Sequence, residues 1–159
     1  MKAEWICIKC GECCRHLVGN RFGMAILPDE YWRLAAYAKK HHIDLQARPL
    51  VAGVLQAKLY QFTQERCPFL QGNLCQAYDY RPLVCRMFPL HPRGIMHCSS
   101  LDRLARGGCQ VTFPDSLRDA VISYAVYVQP IIDSADLMYS LDEDWKPRSS
   151  IILKQKLGA

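Results

Sequence analysis

Apolar positions recur at helical spacing through "LPDEYWRLAAYAKKHHI", residues 27–43, where Tyr31, Leu34, Ala35 and Ala38 share one face. Pro28, Asp29 and Glu30 suit a helix start, and Lys39, Lys40, His41 and His42 suit its end, so this stretch predicts a helix. The two histidines read as a solvated helix end rather than as ligands. "RPLVAGVLQAKLYQF", residues 48–62, predicts a second, weaker helix or a helix followed by a strand.

From Cys67 to Cys98 the regular pattern stops. Pro68, Gly72, Asn73, Pro82, Pro89, Pro92 and Gly94 break it into loops. "QGNL" predicts a turn, and "MFPLHPRGIMHC" predicts a short hairpin turning near Pro92–Gly94. Helical patterning returns over 115–140. Asp115 or Ser116 is placed to cap "LRDAVISYAVYVQ", Pro130 to end or kink it, and "IIDSADLMYSL" to continue as helix. "VISYAVYV" also alternates in a strand-like way. Residues 141–159 read as an extended tail.

These elements predict an α+β fold, mostly helical, with long irregular loops and a short hairpin around a cysteine-ligated metal centre. The 159 residues suit one domain, 1–159, with its motif region at 7–98. Half the residues are hydrophobic and 22% are charged, the balance of a soluble globular chain. "MKAEWICIKC" lacks the apolar core of a signal peptide, and the apolar run Ala120–Val128 is too short to span a membrane. The expectation is a cytoplasmic protein with no membrane partner. Thiols stay reduced there, so nine cysteines, an odd number, point away from disulfides.

Those cysteines fall into two blocks. Cys7, Cys10, Cys13 and Cys14 form the first; Cys67, Cys75, Cys85, Cys98 and Cys109 form the second. "CIKC" followed by Gly11 has the spacing of a metal-chelating turn, and glycine can take positive φ there, turning backbone N–H groups toward sulfur. Adjacent side chains rarely aim at one point. Cys13 and Cys14 are therefore expected to diverge, either serving different ions or with one ligating and the other packing. The first block is expected to be completed by the second. The formal charge of +5 counts thiols as neutral. Ligating thiolates would cancel much of it, which weakens a nucleic-acid reading.

"CIKCGECC", then "CPFLQGNLCQAYDYRPLVCRMFP", then Cys98 resembles the YkgJ-type cysteine-cluster domain, a zinc- or iron-chelating family. The resemblance implies the ligand candidates Cys7, Cys10, Cys13, Cys14, Cys67, Cys75, Cys85 and Cys98. Cys109 lies outside that motif and reads as a spare thiol. Arg81, Arg86 and Tyr78 interleave with the second block, where arginine can offset thiolate charge. For Arg81 an ordinary ion pair, with Asp79 or a later acid, is the alternative. His16, His91 and His97 lie near cysteines, but with eight thiols present they read as non-ligands. The aromatic and aliphatic residues of "CPFL" and "MFPL" read as an apolar shell around the centre.

Eight thiols suit two tetrahedral zinc ions, or one [4Fe–4S] cluster with four left for other roles. The irregular spacing favours iron–sulfur. The functional reading is a metal-binding protein with a structural role that extends to electron or metal transfer. Two alternatives stand beside it: an iron-dependent enzyme with an open coordination site, and a zinc-stabilised module binding protein or nucleic acid. A related cysteine domain accompanies flagellin lysine methylases, but no S-adenosylmethionine motif is recognisable here.

Overall fold

A computed structural model of the chain describes residues 1–15, 17 and 24–134. The chain opens with strand β1 (Lys2–Glu4), and the first cysteine block follows as irregular backbone ending in a 3₁₀ turn at Glu12–Cys14. Helix α1 (Pro28–Lys40) comes next. Strands β2 (Ala47–Val51) and β3 (Leu59–Phe62) pair antiparallel, as do β4 (Leu70–Gln71) with β5 (Leu74–Cys75). After a 3₁₀ turn at Tyr78–Tyr80 come the short helix α2 (Leu83–Arg86) and the hairpin β6 (Leu90–His91) and β7 (Gly94–Ile95). Helix α3 (Ser99–Arg106), strand β8 (Gln110–Thr112), α4 (Asp115–Tyr127) and α5 (Gln129–Ser134) complete the described chain.

Helix α1 forms where its pattern predicts. Pro28 occupies the first turn, the Glu30 carboxylate accepts the Leu27 N–H at 3.1 Å, and Leu34 and Ala38 are buried. His41 and His42 end it in solvent. The expected turn in "QGNL" is the β4–β5 hairpin, with Gly72 at φ +61, and the expected hairpin after Met87 is β6–β7. Helix α4 buries Leu117, Ala120 and Tyr124 at helical spacing, which overrides the strand-like alternation. It starts at Asp115 with Pro114 as N-cap, so the expected side-chain cap is not made. Helix α4 ends at Tyr127 with Val128 as its C-cap, and Pro130 is the second residue of α5. The part of the expected last helix beyond Ser134, and the tail 141–159, lie outside the described residues.

Residues 48–62 do not form the expected helix. Pro49 and Gly53 interrupt it, and the stretch becomes β2–β3 with an irregular register between Pro49 and Val51. A Cβ at Gly53 would lie 1.9 Å from the Gln56 carbonyl oxygen, so this connection is closed to any other residue. All four residues of β3 are buried, and Tyr60 exchanges two backbone hydrogen bonds with Ile26 (2.8 and 2.9 Å). Strand β1 pairs in parallel with β8, joining residues more than one hundred positions apart.

Two apolar clusters result. The larger includes Ile26, Leu34, Leu59, Phe69, Met87, Tyr124 and Val128. The smaller holds Trp5, Cys98, Leu101 and Leu117, with Phe88, Leu90 and Phe113 against it. Fully burying a side chain of the Leu or Phe class contributes about 1.5–3 kcal/mol, which makes the larger cluster the main support of the motif region. The fold is α+β, as expected, but three short antiparallel hairpins stand where one was expected. No helix among the described residues is long and apolar enough to cross a membrane.

Candidate metal centre

The first cysteine block is held open by backbone of positive φ. Lys9 stands at φ +55 and Gly11 at φ +72, and the Lys9 N–H points to Cys7 Sγ at 3.4 Å. The glycine thus adopts the conformation expected of it, and a backbone N–H does face a sulfur. The tight turn that follows brings the Cys13 and Cys14 sulfurs to 4.0 Å. The expected divergence of this pair is not what the structure shows. Sulfur lies one bond beyond Cβ, so rotation about χ1 brings together side chains whose Cβ atoms separate.

Two links dock this arm on the second block. The Cys67 N–H donates to the Cys14 carbonyl at 2.7 Å. Arg15 spans the gap, donating to the Cys10 carbonyl (2.6 Å), the Gly72 carbonyl (3.3 Å) and Asn73 Oδ1. Gly11 lies directly against the β4–β5 turn, where a Cβ would meet Asn73 Cα at 3.3 Å. Neither Arg15 nor this contact was evident from spacing, because both depend on a turn some sixty residues away.

The docked arms enclose one cavity of about 360 Å³, whose lining includes Cys7, Cys13, Cys14, Cys67, Cys75 and Cys85. The two blocks therefore meet, as expected. Phe69, Val84 and Phe88, from "CPFL" and the run through "MFPL", form part of its apolar wall. Arg81 also lines the cavity. Its guanidinium lies 3.7 Å over the Tyr78 ring and donates to the Tyr78 carbonyl at 3.0 Å. Arg86 turns instead to Glu30, with Nη2 3.8 Å from Oε1.

Two motif cysteines do not line the cavity. Cys10 offers its carbonyl to Arg15, while Cys98 is buried in the smaller cluster, its Sγ 3.1 Å from Ser100 Oγ. Ser100 Oγ in turn accepts from the Trp5 indole at 3.0 Å. Cys109 precedes β8 and is partly exposed. His91 is buried against Tyr124, ring centroids 5.3 Å apart, and His97 faces Asp102 (3.0 Å) and Glu12 (3.6 Å). His16 lies outside the described residues.

The thiols polarise one another. The Cys13 and Cys14 sulfurs stand in contact, either able to donate to the other, and the neighbouring Cys13 and Cys67 thiols lower the proton affinity of Cys14, with Arg15 and Arg81 assisting. Donation to Cys14, then burial, raises Cys13 and Cys67. Burial raises Cys75 and Cys85. Among the described residues, no three His, Cys, Asp or Glu side chains surround a single ion-sized point. The sulfurs are distributed around the cavity wall. Soft thiol donors with guanidinium counter-charge fit a zinc or iron–sulfur group.

Fold and cavity together define a small α+β domain built around a cysteine-lined cavity. The family CxxCxxCC, described as "Putative zinc- or iron-chelating domain", matches residues 6–111. The chain belongs to this family. The match runs past the motif ending at Cys98 and takes in Cys109. No curated protein and no solved structure matches the chain.

Proposed function

We propose that the chain holds a [4Fe–4S] cluster in this cavity, with structural and electron-transfer roles. The observation that carries this reading is the size of the thiol-lined space. It measures about 360 Å³, where one water needs only ~10–15 Å³ on the same measure. That is far more than one tetrahedral ion needs, and it suits a polynuclear group whose ligands stand apart. The first arm supplies Cys7, Cys13 and Cys14 as candidates, and the second supplies Cys67, Cys75 and Cys85. Iron–sulfur groups bound by thiolates carry single electrons at potentials set by net charge and exposure. Arg81 provides the counter-charge. Cys7 and Cys13 are exposed, which supports electron exchange with a partner at this edge.

A second reading, zinc, is favoured by one distance. The 4.0 Å between Cys13 and Cys14 sulfurs is close to the ~3.8 Å edge of a tetrahedron with Zn–S of ~2.3 Å. Protein purified without air, with iron, zinc and acid-labile sulfide measured beside the visible spectrum, separates the two. Iron and sulfide in equal amounts with a reducible brown chromophore support the cluster. A colourless protein holding zinc and no sulfide overturns it.

A further inference from the structure

The arm that carries Cys85 cannot hold itself in place. Helix α2 has four residues, far below the length at which a helix is stable alone. Its first N–H, from Leu83, donates at 2.9 Å to Oε1 of Glu30, fifty-three residues earlier. The other oxygen, Oε2, accepts the Leu27 N–H at the start of α1. The Glu30 side chain is only 4% exposed, and Arg86, from the last position of α2, approaches Oε1 to 3.8 Å. One buried carboxylate thus joins the N-termini of two helices, with donors facing both oxygens, the arrangement an ionised carboxylate requires. Cys85 stands two residues after Leu83 on this helix and lines the thiol cavity.

We propose that Glu30 is a positioning residue of the centre: its carboxylate fixes Cys85 toward the cavity and sets a buried negative charge behind the thiolates. The part of this concerning the centre rests on the cluster reading above; the part concerning Cys85 does not. Burial raises the proton affinity of Glu30, and the two N–H donors and Arg86 oppose that rise. A first-turn glutamate at this helical position would ordinarily be solvated. Here it is nearly inaccessible, and two of its partners, Leu83 and Arg86, belong to the arm that carries Cys85.

The test compares the full chain with Glu30→Gln and Glu30→Ala. The first readout is alkylation of Cys85 by iodoacetamide under native conditions, followed by peptide mass. Losing a charged buried hydrogen bond costs about 1.5–3 kcal/mol, so Glu30→Ala should expose Cys85 at least about tenfold faster. Glu30→Gln keeps the shape and one acceptor oxygen. It should keep Cys85 protected to within a few-fold and retain the cluster, while the midpoint potential moves positive because a buried charge is gone. Wild-type protection of Cys85 in Glu30→Ala overturns the positioning role. An unchanged potential in a loaded Glu30→Gln overturns the charge role. If Glu30→Ala does not fold, Glu30→Leu, which also removes both acceptor oxygens but keeps the buried volume, takes its place in the alkylation test, and failure of every variant to fold reduces Glu30 to general packing and overturns the proposal. If the wild type carries zinc without sulfide, the cluster reading and the charge role fall together. The alkylation result still decides whether Glu30 positions Cys85.

Discussion

Gly11→Ala tests the seam between the two cysteine arms. Gly11 stands at φ +72, where an L side chain costs about 1–2 kcal/mol. Sterics add to this, since the new Cβ would lie 3.0 Å from Arg15 Nη1, 3.2 Å from Leu70 Cδ1 and 3.3 Å from Asn73 Cα. The Asn73 contact is backbone and yields little. Arg15 could swing away, but it is tied to the Cys10 carbonyl and Asn73 Oδ1, and weakening these bonds costs about another 1 kcal/mol. The expected loss is roughly 2–4 kcal/mol. Gly72→Ala is the control: its φ is +61, but its Cβ would meet nothing within 4 Å, so only the conformational cost of about 1–2 kcal/mol applies. Urea unfolding of both variants, with the slope checked for constancy, gives the difference directly. Gly11→Ala should also lose metal from the cavity, whereas Gly72→Ala should keep it. Equal destabilisation of the two variants would show that the first arm is not seated on the β4–β5 turn.

Cys85→Ser should lose most bound metal, while Cys109→Ser keeps it, since a missing thiolate cripples a site and a bystander only packs. Cys98→Ala should also keep the metal but lose stability, because its thiol belongs to the Trp5–Leu101 cluster; metal analysis of the three purified variants checks both expectations. Chelation of the metal should lower amide protection across Cys67–Cys98 before it does so in α1 or α4, and equal loss everywhere would contradict this. His91 gives a pH dependence. Burial, aided by Arg93, pushes its pKa down to about 4 from the ordinary 6.5, so the unfolded chain binds the proton first as pH falls. Stability is therefore full above pH 6.5 and falls by roughly 3 kcal/mol as the pH drops to 4, at ~1.4 kcal/mol per unit. Unfolding midpoints of the wild type and His91→Gln across this range should converge toward acid; parallel profiles would refute it.

Much of the local structure was written in neighbouring residues. Pro28 and the spacing of Leu34 and Ala38 determine α1, because a helix start and a buried stripe are properties of one short segment. Gly72–Asn73 determines a turn, and Gly11 a positive φ, because backbone sterics are local. The pairing of the cysteine blocks was legible too, since the first block alone offers too few convergent thiols.

What escaped depends on residues far apart in the chain. Residues 48–62 read as a helix, or a helix followed by a strand; the strand at Leu59–Phe62 formed, and the expected helical part became β2 when Val51 paired with Leu59. Glu30 read only as a helix-start residue, and its bond to the Leu83 N–H comes from a segment fifty-three residues away. Cys98 carried the same motif signature as Cys85, yet the pairing of β1 with β8 belongs to the wall around Trp5 that encloses its thiol away from the cavity. The convergence of Cys13 and Cys14 rests on side-chain rotation, which packing selects and spacing does not encode. Sequence determined which groups could ligate and where the backbone must turn; tertiary structure decided which thiols share a cavity, because only packing sets the direction and distance of side chains brought together from separate segments.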